Sequence, residues 1–124
     1  MTTWTSDQLN MIEHTGELHI QPQRANGRLR APTTIWAVRE GDGLFVRSYN
    51  GPDGAWFRTA KASGVGRIRC GGIEQDVTFT EISDRALNDR IDDAYRTKYA
   101  AARAYVPPMV AEGARATTLQ LTPR

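Results

Sequence analysis

Residues 43–57, GLFVRSYNGPDGAWF, bring an apolar strand, a sharp turn and an aromatic helix start together, with Arg47 and Ser48 where strand gives way to loop. Such a corner gathers backbone N–H groups pointing one way, and the helix N-terminus adds its positive dipole, so it suits a phosphate. Ser48 would supply a hydroxyl donor, and Arg47, Arg58 and Lys61 lie within local reach. A guanidinium grips phosphate or carboxylate with two hydrogen bonds, where an ammonium offers a point charge. Tyr49, Trp56 and Trp36 offer flat faces for a ring system. The competing reading is structural: Trp56 and Phe57 are core anchors, and Arg47 lies over Trp36 in a cation–π contact.

Other chemistries find little support. The 16 basic residues comprise 14 Arg and 2 Lys, a bias that either GC-rich codons or anion binding would produce. Net charge is only +2 and the arginines are scattered among acids, which argues against nucleic acid. GVGRIRCGG fails as a dinucleotide fingerprint, because Arg69 takes the place of the third glycine and a strand comes next. There is neither a triphosphate loop nor a nucleophile elbow. Cys70 is the only cysteine and is joined by just two histidines, His14 and His19, so a disulfide within the chain is excluded and no metal centre is expected. Cys70 falls on the apolar face of a hairpin and reads as core. No stretch approaches the roughly 20 apolar residues of a membrane span, and no signal segment is visible; a cytoplasmic location is expected.

The elements that must position the corner are read from pattern. With 124 residues, 40% apolar and 24% charged, one domain over residues 1–124 is expected. Thr5 can cap a first helix with Gln8 completing a capping box, Trp4 can staple onto Leu9, and Gly16 closes it. Asn26-Gly27 predicts a two-residue hairpin turn that sets Arg24, Arg28 and Arg30 around one bend. Thr34–Tyr49 reads as strand, loop, strand with Glu40–Gly43 as the connection. Facing Arg39 with Leu44 then sets Trp36 across from Arg47 and Ile35 across from Ser48. Both faces of this sheet are apolar, so it should be covered twice, by its own core and by a helix or a second copy of the chain.

AWFRTAKAS makes about two turns of helix before Gly64. A hairpin about Gly71-Gly72 pairs Cys70 with Ile73, Arg69 with Glu74 and Arg67 with Asp76, which makes Glu74 and Asp76 part of a solvated ion-pair ladder, not an acid/base pair. Ser83 or Asp84 opens the longest helix, with Leu87, Ile91, Tyr95 and Tyr99 on one stripe. Pro107-Pro108 breaks the chain beyond that helix. TTLQLTP returns as a strand. The fold expected is mainly β within the α+β class: a small antiparallel barrel with about three flanking helices.

Arg24-Ala-Asn-Gly27-Arg-Leu-Arg30-Ala-Pro-Thr-Thr resembles the R-x-[ST]-G-x-x-R-x-T segment of the deazaflavin-dependent nitroreductases, a branch of the flavin-binding split β-barrels. The likeness continues through Gly41–Ser48, similar to G-D-x-x-x-V-A-S, through Trp56-Phe57, and through the closing Leu119–Pro123. T-I-W-A-V-R, F-V-R-S and W-F-R together resemble an uncharacterised bacterial family placed near those barrels. The resemblance covers most of the chain and implies a split barrel that binds FMN or a deazaflavin and passes hydride to a small organic acceptor. It implies phosphate contacts from Arg24, Gly27, Arg30 and Ser48, with Arg47, Tyr49 and Arg58 in support and Trp56 against the ring. Tyr99 would be the donor to the acceptor, with Tyr95 and Tyr105 as its neighbours on the substrate side. Arg47 and Tyr49 depart from the family pattern, as does Asn26 before Gly27. Two alternatives use the same residues: a non-catalytic module for an anion or small aromatic ligand, and a structural homodimer without ligand.

Overall fold

The structure, a computed structural model, describes residues 3–124. Its seven strands are β1 (Leu18–Pro22), β2 (Thr33–Ile35), β3 (Ala37–Glu40), β4 (Gly43–Val46), β5 (Val65–Cys70), β6 (Ile73–Glu81) and β7 (Leu119–Pro123). All pair antiparallel, in the order β2-β1-β5-β6-β7-β4-β3. The two edge strands, β2 and β3, are separated in sequence by Trp36 alone. Ile35 and Ala37 cannot be more than about 7 Å apart, so the two edges must meet at Trp36. The sheet therefore curls into a nearly closed barrel.

This junction corrects the expectation of one strand from Thr34 into the hairpin. Arg39 does face Leu44, but Glu40 pairs with Gly43 and shortens the connection to Gly41-Asp42. The ladder stops at Ala37 and Val46, because residues 33–35 turn away to pair with β1. The Asn26-Gly27 turn is corrected too. Arg24 N–H donates to Arg28 O at 2.7 Å and Gly27 N–H to Arg24 O at 2.9 Å, a three-residue loop in which only Gly27 has positive φ, +86°. The β5–β6 hairpin has the expected register, with Arg67–Asp76 at 2.8 Å and Arg69–Glu74 at 3.5 Å on its wet face.

Five helices flank the barrel: α1 (Ser6–Glu13), α2 (Ala55–Ser63), α3 (Arg85–Lys98), α4 (Val106–Val110) and α5 (Glu112–Arg115). The Thr5–Gln8 capping box opens α1. The Trp4 indole donates to Leu121 O at 2.8 Å inside the barrel. Asp84 caps α3 through its bond to Leu87 N–H. Pro107-Pro108, expected to break the chain, instead occupies the first turn of α4, where a missing N–H leaves no helical bond unmade.

The sheet is covered twice. One core, including Leu18, Ile20, Ile68, Val77, Leu119 and Leu121, fills the barrel. The other joins Val38 and Phe45 of the sheet to Ile91 and Tyr95 of α3 and Met109 of α4. Cys70 belongs to the first core and is 4% exposed, with burial holding its thiol above the ordinary pKa. Among the described residues, no helix is long and apolar enough to cross a membrane. The described residues also contain no group of His, Cys, Asp and Glu able to hold a metal ion.

Candidate functional site

Where β4 ends, Arg47 turns inward. Its side chain has no solvent exposure, and each of its five N–H donors finds a protein acceptor. Nε donates to Thr118 Oγ1 at 2.9 Å, Nη1 to Asp92 Oδ1 and to Met109 O at 3.1 Å, and Nη2 to Asn88 O at 3.1 Å and Asn88 Oδ1 at 3.0 Å. Asp92 also accepts from Arg115. The guanidinium lies 5.4 Å from the centre of the Tyr95 ring. The competing structural reading puts Arg47 over Trp36, but Asp92, projecting from α3, draws the charge into the second core.

Ser48 comes next. Its N–H donates to Thr117 Oγ1 at 2.8 Å, its carbonyl accepts from Gly51 N–H at 3.0 Å, and its Oγ lies against Gly54. A Cβ on Gly54 would approach that oxygen to 2.3 Å. Gly54 is the residue before α2, and no side chain caps the helix. The first helical bond runs from Arg58 N–H to Gly54 O, so the amides of Ala55, Trp56 and Phe57 precede the helix's own bond series.

Two cavities flank this first turn of α2. One, of about 470 Å³, lies between residues 33–36, residues 47–50, Trp56, Tyr105 and Met109. Its aromatic walls differ in support. Trp56 is buried, whereas Tyr49 and Tyr105 are 52% and 59% exposed. Trp36 stacks on Tyr99 with centroids 3.9 Å apart and planes 4° from parallel. The other cavity, of about 430 Å³, lies between the 23–30 hairpin and α2 and is lined by Arg24, Arg30, Arg58 and Thr59, with no carboxylate. Arg30 Nη1 donates to Thr59 Oγ1 at 3.3 Å, while its Nε is buried without a partner. Ala55 lines this cavity and its chain neighbour Trp56 the other.

The profile of a bacterial family described as "uncharacterized protein conserved in bacteria (DUF2255)" matches residues 8–121. The chain belongs to this family. No curated protein matches this DUF2255 chain. Among solved structures it is similar to the heme storage protein HutZ from Vibrio cholerae, with TM-score 0.70, 11% identity, and coverage of 93% of this chain and 86% of that one. An F420-H2 dependent reductase, FDR-A, is similar at TM-score 0.62 and 14% identity, over 86% of this chain and 93% of that one. A Bacteroides thetaiotaomicron protein assigned to 5-nitroimidazole antibiotic resistance is similar at TM-score 0.62 and 11% identity, over 99% and 81%. The split-barrel fold expected from the sequence, and its relation to the flavin and deazaflavin barrels, are borne out in fold.

The DUF2255 chain divides the residues singled out from sequence. Arg24, Arg30 and Arg58 share the arginine cavity. Arg47, Ser48, Tyr49 and Trp56 border the aromatic one. Gly27 sits exposed at its loop and lines neither cavity. Lys61 pairs with Glu81 at 3.8 Å. Tyr99 is 7% exposed, and its hydroxyl donates to Gly16 O at 2.8 Å and accepts from Ala37 N–H at 3.3 Å. Burial pushes that phenol well above its ordinary range. Lys98, whose Nζ reaches Ile12 O at 3.0 Å and Ala37 O at 2.6 Å, is pushed down by burial. Sequence reasoning missed Met109, Asn50 and Thr59 as lining residues. The pair of prolines that opens α4 was the available signal for the Met109 wall.

Proposed function

We propose that this chain binds a flavin or deazaflavin and serves hydride transfer to a small organic acceptor. The observation that carries the reading is the pair of cavities on either side of the first turn of α2, one cationic and one aromatic. The donor set fits such a cofactor. The buried Arg30 Nε lacks an acceptor, and three guanidiniums without a carboxylate suit a phosphate. When bound, the ring of the cofactor supplies the redox chemistry, and the protein contributes position and electrostatics.

In this reading Arg24, Arg30 and Arg58 hold the anionic end. Trp56 and the Tyr99-backed Trp36 wall the flat end, and the exposed residues Tyr49 and Tyr105 lie on the acceptor side. Arg47 holds the corner in shape and leaves the phosphate to the other arginines. Tyr99 acts through Trp36, since its hydroxyl is engaged by backbone groups. That engagement also favours a second reading, a binding module without turnover. A homodimer would cover the exposed Tyr49 and Tyr105 rings.

The test is to examine purified protein for bound flavin and to titrate it with FMN and with a deazaflavin by fluorescence. Micromolar binding that is lost in Arg24→Ala supports the reading, and indifference to both cofactors rejects it. Binding without turnover of a nitroaromatic and quinone panel selects the module.

A further inference from the structure

The aromatic cavity lies next to a buried charge cluster. Arg47 forms part of the cavity wall and turns its side chain inward, where Arg47 and Arg115 meet Asp92 and Arg115 also meets Asp89 at 3.0 Å. The formal charges of these four groups cancel. The Arg47 side chain is fully buried, and its five donors are all bound to protein, so no N–H remains for a ligand. Arg47 borders the cavity but its buried guanidinium offers it no free donor, and what the other lining residues present is rings, a thioether, neutral hydroxyls and an amide. An anion entering it would lose hydration and gain neither a free cationic donor nor net positive charge in return. A neutral ring loses little hydration and gains the Trp36 face.

We propose that this cavity is a site for an uncharged planar aromatic ligand, and that Asp92 determines this specificity by neutralising and occupying Arg47. The proposal deepens the aromatic half of the function proposed above and is independent of the arginine cavity. It assigns Asp92 a role that its burial at the α3–barrel contact would otherwise hide.

The experiment is a calorimetric titration of the purified chain with two probes of nearly equal shape, neutral 2-naphthamide and anionic 2-naphthoate. The amide is expected to bind at least about tenfold tighter, a difference of about 1.4 kcal/mol. Asp92→Asn leaves the cluster with net positive charge and should narrow the gap by strengthening naphthoate binding. Arg115→Gln, at a position whose side chain is 25% exposed, leaves net negative charge and should widen it. Circular dichroism reports whether each variant folds; if Asp92→Asn does not, Arg115→Gln decides. Equal affinities in the native chain, binding of neither probe, or a gap unmoved in the folded variants overturns the proposal. Amide binding without flavin binding would retain this site and reject the redox reading. Flavin binding without amide binding would do the reverse.

Discussion

The Trp36 and Tyr99 rings lie 3.9 Å apart and 4° from parallel, one on the cavity wall and the other at the end of α3. Trp36 is also the single residue between the two edges of the sheet, so this stack joins barrel closure to the candidate site. Tyr99→Phe keeps the stack and removes only the hydroxyl between Gly16 O and Ala37 N–H. It should cost about 1 kcal/mol of stability and leave ligand affinity unchanged. Tyr99→Leu removes the backing of Trp36 and should weaken affinity several-fold. Thermal melts and titrations of the two variants together check this; a Phe variant that binds normally but loses all turnover would return Tyr99 to catalysis.

Arg47 and Asp92 form a buried pair that ties β4 to α3, with Met109 O of α4 on the same guanidinium. Arg47→Met strands those acceptors and should destabilise the fold by about 3–5 kcal/mol. Urea unfolding measures the loss. A change below about 1 kcal/mol, the size of a single ordinary hydrogen bond, would show that the cluster contributes little to stability.

Gly54 and Ser48 are coupled by space. A Cβ on Gly54 would meet Ser48 Oγ at 2.3 Å, but would lie 3.5 Å from Ser48 Cβ. Gly54→Ala should therefore cost about 1–3 kcal/mol, and adding Ser48→Ala should recover most of it. A double-mutant cycle by denaturant melts gives the coupling directly; additive losses would mean that Ser48 is not the obstacle.

Alkaline pH tests the buried hydroxyl and thiol groups. Burial raises Cys70, Tyr95 and Tyr99 above their ordinary values of 9.0, 10.0 and 10.0 and lowers Lys98 from 10.5. A raised folded pKa contributes stability below the unfolded value that is lost as pH climbs past it; a lowered lysine works in the opposite sense, adding stability as pH rises towards 10.5. Tyr95 and Tyr99 carry the largest shifts, so stability should be flat through neutrality and fall as pH passes about 10, where the unfolded tyrosines ionise. Tyr99→Phe should make that fall shallower, as measured by urea midpoints across pH.

Much of this was legible in the chain. The β5–β6 register came from facing Arg69 with Glu74 and Arg67 with Asp76, because opposite charges on one strand pair and apolar groups on the other face admit a single alignment. The Thr5 cap and the αL glycine after α2, Gly64, were equally local signals. The break at Trp36 was not legible. Thr33–Glu40 carries continuous strand propensity, and only the pairing partners, β1 on one side and β4 on the other, divide it.

Long-range contacts also decided the site. Ser48, Tyr49 and Trp56 could be grouped because they lie within nine residues of one another in sequence. Arg47 could not be assigned from its neighbours, since Asn88, Asp92, Met109 and Thr118, which bind its guanidinium, are all at least 41 positions away. Tyr99 was a stripe residue whose hydroxyl partners, Gly16 and Ala37, no helical periodicity reveals.

The division of labour between the two cavities is tested most directly by titrating native protein and Arg30→Met with FMN and with riboflavin, which lacks the phosphate. Native protein should bind FMN at least about tenfold tighter than riboflavin, and Arg30→Met should reduce FMN to the riboflavin level while leaving riboflavin unchanged. Equal affinity of the native protein for the two flavins, or an Arg30→Met variant that still prefers FMN, would contradict the account.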